Sequence, residues 1–174
     1  MMQSYGIGID CSGFAYHILN PLIKQKIRKD LSHFLVRFSG LFGLVDKALF
    51  RTKRYQKISA AMLVSNLNTI RIDNVADIRV GDLIQMTHQG YEGKHPLVVV
   101  GVEPTFILYA HSSEYVKMNG AHFGKICLLD LSKSLDQQEW LEETSAGQNY
   151  GKNAFRVDLG DSVRRLICLK AMNV

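Results

Sequence analysis

The sequence predicts an α+β domain in which N-terminal helices pack on an antiparallel β-sheet. Apolar residues recur at three- and four-residue spacing through the first third of the chain, and short alternating runs bounded by turn residues follow Asn68. Size agrees with one such unit: 174 residues, 47% of them hydrophobic, can bury a core without disulfide staples, so a single domain over 1–174 is expected.

Asp10 is a good N-cap, and Phe14, Ala15, Ile18, Leu19 and Leu22 follow at helical spacing, so a helix should begin at about Cys11. It should end or kink near Asn20-Pro21, because the residue before proline avoids helical angles. From about 22 to 67 the pattern is mostly helical, with Leu31, Phe34, Leu35 and Phe38 on one face and a break at Ser39-Gly40 or Gly43. Strands are expected at Ile70-Arg71-Ile72 and Leu83-Ile84-Gln85-Met86. Two apolar runs, Leu97 to Val102 and Phe106 to Ala110, then form a hairpin about Glu103-Pro104-Thr105. Further strands are predicted over 125–131, 154–159 and 164–170, and the acidic stretch 134–144 reads as a helix.

Charge is unevenly placed. Between Leu22 and Lys57 ten Lys/Arg stand against Asp30 and Asp46, while the whole chain carries +5. Such a block reads as a solvated helix face, or as a surface for an anionic polymer or membrane; specific nucleic-acid recognition is not expected. The most apolar stretch, 31–50, is interrupted by Arg37, Asp46 and Lys47 and makes a poor membrane span. The first ten residues lack the basic and apolar regions of a secretory signal, and a removed leader leaves the compartment open.

The three cysteines, Cys11, Cys127 and Cys168, form no C-x-x-C pair, so free thiols are expected in place of a disulfide framework or zinc site. At the first turn of a helix, unpaired N–H groups and the helix dipole favour a thiolate on Cys11. Its backbone N–H is a natural oxyanion donor, with Asp10 and Ser12 as supporting neighbours; Ser12 and Gly13 leave the sulfur accessible, and Phe14 and Ile18 anchor the helix. A hairpin turn centred on Glu103 places His95 opposite His111, where one ring can orient the other. The arrangement is then Cys11 as nucleophile, His95 as base and His111 as the group that fixes its tautomer.

His17, about 240° around the helix from Cys11, faces away from the sulfur. His33 and His122 have no partner pattern and read as surface or satisfied core residues, while His88 is a backup base. A metal site from His88, His95 and His111 is not expected, since neither H-x-x-x-H nor H-E-x-x-H spacing is present.

These residues, Gly8-Ile9-Asp10-Cys11-Ser12-Gly13-Phe14 above all, resemble the D-C-S-G nucleophile motif of the NlpC/P60 cysteine peptidases. Asp77-Ile78-Arg79-Val80-Gly81-Asp82-Leu83-Ile84 is similar to the family's L-x-x-G-D-L segment. Gly93-Lys94-His95-Pro96-Leu97-Val98-Val99-Val100-Gly101 resembles the stretch with its catalytic histidine. The run from Phe106 to Ser112 resembles the strand carrying its third polar residue. The four occur in family order across about 8–131, with the basic stretch as an enlarged insertion. The resemblance implies a papain-like fold and hydrolysis of amide bonds in peptidoglycan stem peptides, typically between D-γ-glutamyl and a diamino acid, as family members do at the bacterial cell wall. It matches Cys11, His95 and His111 to nucleophile, base and orienting residue, and implies no cofactor. The family's Y-x-x-G-G edge, upstream of the cysteine, is missing, and Tyr5 is the available substitute. Two other readings follow: a thiol amidase or acyltransferase acting on a substrate outside the wall, and a non-catalytic module that holds an anionic surface.

Overall fold

The computed structural model describes residues 10–36, 58–87 and 93–170. Most of the basic stretch, together with Tyr5, Phe38, His88 and the expected break at 39–43, lies outside them.

Helix α1 spans Cys11–Ile27, and Asp10 caps it by accepting from Gly13 N. It continues past Pro21 and so does not end near Asn20-Pro21. A helical proline removes the hydrogen bond to the carbonyl four residues earlier, here that of His17. Both His17 and Pro21 lie on the exposed face, so the loss is left to water. Burial of Ala15, Tyr16, Leu19 and Ile23 holds the opposite stripe in place. This stripe is rotated from the expected one, so that Phe14 and Ile18 are only half-buried.

The chain leaves α1 through Arg28, at φ 58°, and turns back at Asp30, which accepts from Tyr16, Asn20 and Ser32 and pairs with Lys24. Continuous helix was expected here, but Leu31–His33 is a single 3₁₀ turn, and Leu31 and Leu35 are buried from irregular backbone. The short α2, Ala60–Leu63, completes the helical layer among the described residues.

Seven strands form one antiparallel sheet: β1 Thr69–Ile72, β2 Leu83–Thr87, β3 Lys94–Glu103, β4 Phe106–Ser113, β5 Gly120–Cys127, β6 Glu139–Trp140 and β7 Ser162–Leu166. Their order is β1-β7-β2-β3-β4-β5-β6, so β2 to β6 form a meander and β7 returns between β1 and β2. The coarse α+β class therefore holds.

Two apolar cores lie on the two faces. Leu83, Val98 and Leu166 meet α1 and α2 on one face. Ile84, Met86, Leu97, Val99, Ile107, Tyr109 and Ile126 on the other are closed by Trp140, Tyr150 and Phe155.

Four segments in the C-terminal third differ from expectation. The acidic stretch 134–144 is a 3₁₀ turn, Leu135–Gln137, followed by β6, because Trp140 is pulled into the second core and donates its indole N–H to Leu135 O at 3.0 Å. Residues 154–159 form the end of helix α3, Tyr150–Ala154, and a 3₁₀ turn, Val157–Leu159, since Asn149 caps α3 and Gly160 closes the turn at φ 84°. The expected strand over 125–131 instead begins at Gly120, and the one over 164–170 gives way to helix α4, Ile167–Lys170.

Candidate active site

The β3–β4 hairpin turns at Pro104-Thr105, with Glu103 paired to Phe106, so His95 and His111 are not directly opposite as expected. Carried unchanged along the strands, that pairing would point the two rings to opposite faces. A β-bulge between Val99 and Gly101 removes the mismatch. Beyond it Val99 pairs with Tyr109 and Val98 with Ala110, which puts His95 and His111 on one face as diagonal neighbours.

His95 Nε2 lies 2.9 Å from His111 Nδ1, with both rings buried. His111 Nε2 in turn lies 3.0 and 3.1 Å from the two oxygens of Glu142. An ionised carboxylate only accepts, so His111 carries its proton on Nε2 and presents a bare Nδ1. His95 must then donate from Nε2, which leaves Nδ1 as its basic nitrogen. The proton order of the whole chain is fixed from the Glu142 end.

Sequence reasoning missed Glu142, and it read His122 as a surface or satisfied core residue without its partners. His122 sits on β5 directly opposite His111, and its Nε2 contacts Glu142 Oε1 while its Nδ1 lies 2.8 Å from Gly120 O. Tyr109 donates to the second Glu142 oxygen at 2.5 Å, and Gly124 opposite it leaves room for the phenol ring. The backbone around Glu142 is held by Leu141 N to Lys125 O, at 3.0 Å, and Tyr150 N to Glu142 O, at 2.9 Å.

Burial pushes Glu142 up, but hydrogen bonds from His111, His122 and Tyr109 outweigh it and hold the carboxyl at about 2. Burial lowers His111 despite Glu142, which keeps that ring neutral. Burial also lowers His122, yet its bonds to Glu142 and Gly120 O win, and its pKa rises. The signs define a pH window. Glu142, depressed from 4.5, contributes stability that is present above pH 4.5 and lost as pH falls toward 2. His122, raised from 6.5, contributes stability that is present below pH 6.5 and lost as pH rises through its folded value. The pair should therefore stabilise most between about 4.5 and 6.5. Thermal melts across pH should show that contribution in the difference between wild type and His122→Asn, and a pH-independent difference would contradict it.

Cys11 is the first residue of α1 and is half-buried. The structure corrects the expectation of a stabilised thiolate: burial and then the charge of Asp10 raise the thiol's pKa, and the N–H groups of Ser12 and Cys11 only partly offset them. Asp10 is held beside the sulfur by its capping duty, accepting from Gly13 N and from Ser12 Oγ at 2.9 Å. Asn caps equally well without charge. Asp10→Asn should therefore lower the Cys11 pKa and speed its alkylation by iodoacetamide at pH 7; an unchanged rate would remove Asp10 as a cause.

Tyr150 packs on the histidine row. Its ring lies 5.4 Å from that of His111 at 30°, and burial, then the charge of Glu142, raise its phenol. Of the other histidines, His17 is exposed against Tyr16 and His33 Nδ1 lies 3.3 Å from Asp30 O. Comparison with known protein families, curated proteins and solved structures finds no match.

Proposed function

We propose that the chain is a cysteine hydrolase of NlpC/P60 type, with a papain-like fold, that cleaves amide bonds in peptidoglycan stem peptides. The observation that carries this reading is the proton chain His95–His111–Glu142, in a fold whose helix α1 begins at a cysteine. Its polarity suits a base. Because Cys11 is held as a neutral thiol, activation falls to His95 Nδ1, which takes the Sγ proton as the sulfur attacks the amide carbonyl. The N–H of Cys11 stabilises the oxyanion. The intermediate collapses to a thioester on Cys11, and the amine leaves with the proton returned by His95. Water then attacks the thioester with His95 again as base, which releases the acid and restores the thiol. Glu142 stabilises the imidazolium formed in each step.

The reading is tested with purified muropeptides. Wild type should release new amines and pass through a thioester on Cys11 detectable by intact mass, and absence of both would refute it.

One observation favours the non-catalytic reading, in which the fold holds an anionic surface through the stretch 22–57. A thiol with a raised pKa is less reactive at neutral pH. On that reading Cys11 resists iodoacetamide and salt-sensitive binding survives its removal. No described helix is long and apolar enough to cross a membrane.

A further inference from the structure

We propose that His111 Nε2, His122 Nε2 and the Glu142 carboxylate form a binding site for one divalent transition-metal ion of the zinc type. The three ligand atoms lie within 4.8 Å of one another and come from β4, β5 and the segment after β6. His111 and His122 are directly opposite across the ladder, and Glu142 is two residues beyond Trp140, whose partner Ile126 lies on the same face.

The atoms turned away from this centre are all engaged. His122 Nδ1 lies 2.8 Å from Gly120 O, His111 Nδ1 lies 2.9 Å from His95 Nε2, and Tyr109 donates to the second carboxylate oxygen at 2.5 Å. Outer partners of this kind orient metal-binding imidazoles and fix which nitrogen is free to ligate.

The hydrogen-bond accounting of His122 shows where a cation belongs. Its ring faces an acceptor at each nitrogen, the Gly120 carbonyl and the Glu142 carboxylate. A neutral imidazole offers one N–H, so the contact with Glu142 needs a second positive centre, either a proton or a metal ion. Two imidazoles and one carboxylate are a donor set that zinc takes readily, with a fourth position left for water.

The ion would also reverse the proton order. Metal on His111 Nε2 moves that ring's proton to Nδ1, which then donates to His95 Nε2. His95 in turn carries its proton on Nδ1, so it has no lone pair there for the thiol. This coupling rests on the reading of His95 as the base; the metal site does not.

The test titrates ZnCl₂ into metal-free wild type, Cys11→Ala and His122→Asn by calorimetry. One ion should bind wild type and Cys11→Ala alike, and affinity should fall in His122→Asn by more than about 100-fold, beyond the loss of an outer partner. Imidazole ¹⁵N spectra of wild type supply a readout that needs no variant: Nε2 of His111 and His122 should shift on zinc addition. No binding, binding lost with Cys11, or unshifted Nε2 signals would overturn the site. Zinc should also slow iodoacetamide alkylation of Cys11 at least about tenfold in wild type but not in His122→Asn, as expected when general-base assistance is withdrawn. Stoichiometric binding with an unchanged alkylation rate would overturn the coupling, and with it the role of His95, while the metal site stands.

Discussion

Glu142→Gln should lower kcat/KM for muropeptide hydrolysis by roughly 10³-fold, approaching the full loss expected of Cys11→Ala. Three donors, from His111, His122 and Tyr109, converge on the carboxylate. An amide accepts at one oxygen only, so at least one donor loses its acceptor. Where the amide N–H faces His111 Nε2, the proton order reverses and His95 presents N–H to the thiol. In the other orientation the negative charge that stabilises the His95 imidazolium is still absent. That loss carries a signature which misfolding would not give. Without the anion the imidazolium is less stable, so the acid limb of the kcat/KM profile should move to lower pH. A profile of unchanged shape and position would assign Glu142 a purely structural role.

Gly151→Ala should destabilise the fold by about 3 kcal/mol, and the melting temperature should fall by about 6 to 12 °C. A Cβ at this position would stand 2.1 Å from Trp140 Cγ and 2.3 Å from Cδ1 and Cδ2. The indole cannot withdraw cheaply. Trp140 is only 2% exposed, it donates to Leu135 O, and its ring is packed among Tyr109, Tyr150 and Phe155. Displacement of the indole would also move Tyr150, the residue after the α3 cap, whose ring packs on that of His111. Gly147→Ala is the matched control. It has a positive φ of 75° with nothing within 4 Å of an added Cβ, so only backbone strain is at stake. About 1 kcal/mol is expected there. Equal losses from the two substitutions would contradict the packing argument.

Much of the site was legible in the sequence because its parts are local. Asp10 before an apolar 3.6-residue pattern marks both a cap and the helix start, and the β3–β4 hairpin is marked by two apolar runs about a proline turn. The proximity of His95 and His111 follows from that hairpin. The bulge that makes them share a face does not, because the extra residue, Val100, looks like any other member of the apolar run.

Glu142 was hidden for a different reason. Acidic residues in 134–144 read as the solvated face of a helix, and it is tertiary burial of Trp140 that makes the segment extended. Alternation of Trp140 with Glu142 was the available signal, but two residues are too few to fix a period. His122 was set outside the strand, whose predicted start at Lys125 hid its place opposite His111. The thiol's pKa was misjudged in sign because the helix terminus was weighed without the Asp10 charge that the cap itself brings.

The most direct measurement is the pH dependence of Cys11 alkylation by iodoacetamide in wild type and in His95→Gln, since it needs no knowledge of the substrate. With His95 Nδ1 as base, wild type should react at pH 7 at least about tenfold faster than the variant, and the two rates should converge as the solution itself ionises the thiol. Superimposable profiles would contradict the account, leaving Cys11 a thiol with no base.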